Sequence, residues 1–210
     1  MLELELFMSA FAILFVIIDP PGCAPIFVAL TRDTSKQHQR AMAVKSVVVA
    51  SAILLLFAFF GDDILGALHI DFDALRIAGG IMLFMIALQM VFEKRTENRE
   101  HRAEDALERS DSPEDISVFP MGIPMIAGPG TIASLLLLMS EAKGVNDQIT
   151  IIAALGLVLF ICLITFLAAG VLMKLMGKTV TDILTRVLGF LLAALAAQFI
   201  IDGINGAFFG

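Results

Sequence analysis

The sequence predicts an all-α membrane protein of six transmembrane helices, built as two inverted three-helix repeats with helices 1 and 4 broken. Three observations predict it. Six apolar blocks are each long enough to cross a bilayer, the linkers between them alternate in charge, and a proline pair set among small residues recurs in blocks one and four.

The blocks follow from composition. Of 210 residues, 59% are hydrophobic and 17% charged, and the mean hydropathy is +0.92. A soluble domain carries about 25% charged and about 45–50% apolar residues. The apolar excess is concentrated near residues 6–30, 41–60, 74–92, 116–140, 148–173 and 187–206. A span takes about 20 such residues. Backbone groups in lipid find no water, so each block reads as a helix. The opening Met1-Leu2-Glu3-Leu4-Glu5 lacks a basic region, so block one is expected to be a span and not a cleaved signal. Cys23 and Cys162 both lie in apolar blocks and read as buried thiols rather than a disulfide.

Charge sets the expected topology. Arg32, Lys36, Arg40 and Lys45 follow block one; Lys94, Arg95, Arg99, Arg102 and Arg109 follow block three; Lys174, Lys178 and Arg186 follow block five. Together they are twelve of the 14 Lys and Arg residues, all on one side of the membrane. The positive-inside rule makes that side cytoplasmic and puts both termini in the periplasm of a cell inner membrane. The second linker is acidic instead, with Asp62, Asp63, Asp71 and Asp73. The stretch 93–115 mixes both signs densely and reads as a solvated cytoplasmic linker. The chain then divides into a first repeat over 1–95, a linker over 96–115 and a second repeat over 116–210. A net charge of −7 argues against a nucleic-acid partner.

The repeat is carried by prolines. Pro20 and Pro25 in block one match Pro124 and Pro129 in block four, with small residues between. Arg76-x-x-Gly79 in block three matches Arg186-x-x-Gly189 in block six, and Gln89 falls near the place of Gln198. Two tandem halves of three spans each must be oppositely oriented, an arrangement common among secondary transporters.

Broken helices supply chemistry. A proline inside a helix removes an N–H and frees the carbonyl four residues earlier, here those of Val16, Ile17, Pro21, Pro120 and Met125. Asp19-Pro20 has the pattern of a helix start, a cap residue and then proline, and Gly128-Pro129 repeats it more weakly. Half-helices beginning inside the membrane present positive ends to an anion, while freed carbonyls suit an ammonium or a small cation. The expected substrate site is therefore Asp19, Pro20, Gly22, Pro25, Pro124, Gly128, Pro129, Gly130 and Thr131, and it suits a zwitterion. Counting about 1.5 Å per residue from Glu5 places Asp19 roughly 21 Å into a core of about 30 Å. A carboxylate there is costly and usually functional, as helix cap or as direct ligand. Gln89, Gln198 and Asp202 are further candidate polar residues of the cavity. In block six, Gly189, Ala193 and Ala197 form a small-residue stripe that reads as a close helix contact. No catalytic residue, metal site or cofactor is expected.

These residues resemble the MarC (UPF0056) family. The resemblance rests on Asp19-Pro20-x-Gly22-x-x-Pro25-Ile26-Phe27, Gly79-Gly80-Ile81-x-Leu83-Phe84-x-Ile86-Ala87, Ile123-Pro124-x-x-Ala127-Gly128-Pro129, and the closing Arg186-x-x-Gly189 with Ala197-Gln198-x-Ile200-x-Asp202-Gly203-Ile204. All four fall in order and span essentially the whole chain. The resemblance implies a six-helix inner-membrane protein, and a family also classed as neutral amino acid transporters after archaeal members that look like carriers of glycine and alanine. Pro21 and Cys23 occupy variable places in the opening motif.

The leading expectation is thus a secondary transporter of small neutral amino acids driven by a sodium or proton gradient, with the lipid bilayer and, in a homo-oligomer, its own copies as further partners. The alternative is a channel or exporter of small toxic compounds. A membrane enzyme is disfavoured: His38, His69 and His101 lie in or near linkers, and no HExxH, GxSxG or Walker A pattern occurs.

Overall fold

The computed structural model describes residues 2–32, 34–92, 94, 95, 98, 99, 101 and 117–209. Its elements are α1 (Leu2–Ile18), α2 (Pro20–Leu30), α3 (Lys36–Ala67), α4 (Phe72–Val91), the irregular α5 (Ser117–Ile126), α6 (Pro129–Ser140), α7 (Val145–Leu167) and α8 (Ala169–Phe209). All regular structure among the described residues is helical. Five helices are long and apolar enough to cross a membrane, α1 and α2 counting as one such run over Glu3–Leu30. The pair α5–α6, bent by 53°, makes a sixth candidate span.

Boundaries follow local signals. Ser35 caps α3 by accepting the His38 N–H at 3.2 Å, which starts that helix earlier than its apolar block suggests. Block five ends sooner than expected: α7 stops at Leu167, and the apolar residues after it open α8. In α5, Phe119 and Ile123 have extended backbone, φ/ψ of −131°/128° and −128°/129°. Each precedes a proline, whose ring disfavours helical geometry in the residue before it.

The first span is the innermost. Its apolar window is 72% buried, against 28% to 39% for the other four. Helix α1 packs on α7, α6 and α8, and α2 packs on α8 and α7. The most extensive pairing is α4 with α8, and glycine makes it close. A Cβ on Gly80 would lie 2.9 Å from the Ala196 carbonyl oxygen, one on Gly189 3.1 Å from the Ala87 carbonyl oxygen, and one on Gly203 2.8 Å from that of Asp73. The contact therefore runs through Gly189, Ala196 and Gly203. This corrects the expected stripe: Ala193 and Ala197 are only half-buried, while Ala196 is fully buried. A seven-residue spacing tracks a partner lying nearly antiparallel better than a four-residue one.

Candidate functional site

The two proline-marked breaks sit close together, and each is built from its own sequence. At the first, Asp19 adopts a left-handed backbone, φ 54° and ψ 64°. Roughly 1–2 kcal/mol opposes that geometry in most L-residues, and Asp is among the few that enter it. Its Oδ1 accepts the Gly22 N–H at 3.1 Å. Pro20 then occupies the first turn of α2, where a missing N–H costs nothing. Gly22 is required here, since a side chain would overlap the Asp19 carboxylate.

Asp19 is fully buried, so its charge needs a partner. Arg99 Nη1 supplies one at 3.4 Å, and Thr185 Oγ1 on α8 donates to Oδ1 at 3.5 Å. The carbonyls that the break leaves open are also occupied. Arg95 Nη2 donates to the Ile17 oxygen at 2.6 Å, and Arg99 Nη2 to the Ile18 oxygen at 3.4 Å. One guanidinium thus pairs with the carboxylate and a second binds the carbonyl beside it, so two cations stand against one anion and the neighbourhood carries an excess positive charge.

This corrects two expectations. Arg99 is buried, so the start of the charged linker folds back onto α1 instead of standing in solvent. Residues 96, 97, 100 and 102–115 of that linker, with Arg102 and Arg109, lie outside the described residues. Moreover, the freed Ile17 carbonyl, expected to suit a substrate ammonium, is already held by Arg95.

The second break is open. Gly128 has extended backbone, Pro129 starts α6, and no side chain caps that helix. By helix geometry the N–H groups of Gly130 and Thr131 have no partner within α6. Thr131 Oγ1 turns back to the Ile126 oxygen at 2.9 Å, closing one free carbonyl of α5. A cavity of about 260 Å³ lies against this helix end. Its wall includes Pro124, Gly128, Pro129, Gly130 and Thr131, with Gln89 from α4, Arg95 and Arg99 from the segment after α4, and an apolar side of Ile17, Met82, Met85 and Ile86. A positive helix end and two arginines make the cavity suited to an anionic group.

Other candidates are placed elsewhere. Pro20, Gly22 and Pro25 do not line this cavity; Pro20 and Gly22 are buried within α2, where Gly22 serves the cap. Asp19 meets the cavity only through Arg99. Gln198 donates to Asp202 Oδ1 at 2.8 Å near the other end of α8. At about 1.5 Å per residue, Asp202 lies roughly 25 Å along α8 from Thr185. Arg95, Arg99 and Thr185 are the residues that the sequence argument missed. The available signal was an unpaired carboxylate in a span, which demands a cation, and two arginines four residues apart just past block three.

Comparison with known proteins now adds a lineage to the geometry. A family model described as MarC family integral membrane protein matches residues 4–208. The chain belongs to the MarC family. An UPF0056 membrane protein of Methanocaldococcus jannaschii is 39% identical over 206 residues, covering 98% of this chain and 99% of the relative. One of Archaeoglobus fulgidus is 33% identical over 202 residues, covering 96% and 93%. The UPF0056 membrane protein YvbG of Bacillus subtilis is 33% identical over 198 residues, covering 94% and 93%. No solved structure matches this MarC-family chain. It is an integral multi-pass membrane protein.

Proposed function

We propose that this MarC-family protein is a secondary transporter of small neutral amino acids, with substrate held in the cavity between the Gly128 break and α1. One observation carries the reading. An uncapped helix N-terminus and two arginines converge on a cavity of about 260 Å³ that is otherwise largely apolar. That combination binds a carboxylate next to a small apolar side chain.

In this reading the substrate carboxylate lies between the N–H groups of Gly130 and Thr131 and the Arg95 guanidinium. Its side chain rests on Met82, Met85 and Ile86. The ammonium competes with Arg99 for Asp19, so arrival of substrate loosens the contact that ties the start of the linker to α1. The 3.4 Å separation of Arg99 from Asp19 is long for such a pair, which suits an exchangeable partner. A sodium ion or proton supplies the driving gradient.

The inverted repeat fits this reading. Proline-marked breaks fall in the first span of each half, and Gly80 and Gly189, near equivalent places of the two halves, both mark close approach in the α4–α8 pair. The basic ends are read as cytoplasmic and both termini as periplasmic, in the inner membrane. A carrier is favoured over an enzyme because Asp19 and Asp202 stand too far apart for paired-carboxylate chemistry.

The test is purified protein in liposomes, offered labelled glycine, alanine and serine under imposed sodium or proton gradients. Saturable, gradient-dependent uptake with exchange is expected. Uptake that rises linearly with concentration would favour a channel, and no uptake of any neutral amino acid would refute the substrate class.

A further inference from the structure

A second and larger cavity, of about 580 Å³, opens where the end of α2, the start of α3 and the α7–α8 junction meet. Four cations from three parts of the chain line it: Arg32 just after α2, Lys36 and Arg40 on α3, and Lys174 on α8. Among the described residues, no Asp or Glu lines it and none of these four cations is held in a salt bridge. Helix α3 carries no acidic residue in its first turn, so Lys36 and Arg40 add positive charge to an already positive helix end. Such cations destabilise a helix start unless an anion faces them.

The rest of the cleft is apolar. Phe27 and Phe166 both line it, their rings stacked with centroids 4.9 Å apart and planes within 4°. Leu167 and Val171 continue that wall outward and are 50% and 62% exposed, on helices of a bundle that sits in lipid. Cations and exposed hydrocarbon on one cleft match an amphiphile with an anionic head. A free inorganic anion would use only the cations.

We propose that this cleft binds the phosphate headgroup of an anionic phospholipid, with an acyl chain running down along Leu167 and Val171. Arg32, Lys36, Arg40 and Lys174 surround the phosphate. Because the site joins the α2–α3 connection to α8, the lipid braces the half of the first span that lies beyond Asp19.

The experiment places the full chain in phosphatidylcholine nanodiscs with or without phosphatidylglycerol and counts retained lipids by native mass spectrometry after transfer to detergent. The unaltered protein should retain one phosphatidylglycerol in preference to phosphatidylcholine. The double variant Arg40→Gln with Lys174→Gln should weaken retention about thirtyfold, from roughly fivefold per basic residue at a membrane surface. Arg32→Gln with Lys36→Gln, the two cations nearest the α2–α3 connection, should do the same, which covers the case in which one double variant fails to fold. A control pair outside the cleft lining, Lys45→Gln with Lys94→Gln, should retain the lipid. Equal retention by the cleft and control pairs would overturn the proposal, as would equal retention of phosphatidylcholine. Displacement of the lipid by soluble glycerol phosphate at similar concentration would assign the cleft to a water-soluble anion and overturn the lipid assignment.

Discussion

The two breaks share a sequence pattern and reach opposite outcomes. At Asp19 the chain consumes its own exposed polar groups. The carboxylate caps Gly22 and meets Arg99 and Thr185, while Arg95 and Arg99 take the Ile17 and Ile18 carbonyls. At Gly128 the cap residue has no side chain, so the end of α6 stays open to a cavity. In the proposed reading the difference lies in the cap: the charged Asp19 cap is held by the chain's own groups, while the glycine cap leaves a helix end open for a substrate carboxylate.

The largest effect should come from dismantling the support. Arg99→Met leaves Asp19 buried without its ion partner and should cost about 3–5 kcal/mol, the usual penalty for stranding a buried charge. Adding Asp19→Asn removes that charge, and the double variant should recover most of the loss. Thermal unfolding in detergent measures both. If the double variant is no more stable than Arg99→Met alone, Asp19 is not the group that Arg99 serves.

Next in size is the helix contact that frames the cavity. Gly80→Ala brings a methyl against the backbone oxygen of Ala196. Overpacking of this kind costs typically 1–3 kcal/mol. Gly66→Ala, where a Cβ would meet nothing within 4 Å, should be neutral or slightly stabilising. Equal unfolding midpoints for the two variants would contradict the close α4–α8 packing.

A subtler test sharpens the difference between the breaks. Gly130 lines the cavity, and a Cβ there would clash only with the flexible end of Ile86, with Leu83 and Ile17 at ordinary contact distances of 3.6 and 3.8 Å. Gly130→Ala should therefore fold normally yet weaken substrate binding about tenfold, near 1.4 kcal/mol. The smallest effect is expected at the far end of α8. Gln198→Ala removes an exposed hydrogen bond to Asp202 and should change stability by about 0.5 kcal/mol or less, with uptake unchanged. A large loss of uptake would draw the acidic end of α8 into the pathway.

Much of this architecture was legible in the residues. Apolar blocks of spanning length marked the helices, because lipid leaves the backbone no alternative. Asp19-Pro20 announced its own break, since a cap followed by proline has one common use. Pro124 and Pro129 marked the second break, although the extended backbone at Phe119 and Ile123 makes α5 more irregular than a simple kink. The tertiary partners of Asp19 were not legible. Arg95 and Arg99 lie in a run dense in both charges, and nothing local distinguishes an arginine that folds back from one that faces water. The stripe on α8 was misread for a related reason: Ala193, Ala196 and Ala197 are equally small, and only the direction of the partner helix selects Ala196.

The central claim is that the open end of α6 and Arg95 hold a carboxylate. An experimental structure with bound alanine tests it most directly. The account predicts density in the cavity with the carboxylate within hydrogen-bond distance of the Gly130 and Thr131 N–H groups and of Arg95. Alanine bound elsewhere, or residues 126–131 wound into one continuous helix with the cavity closed, would contradict it.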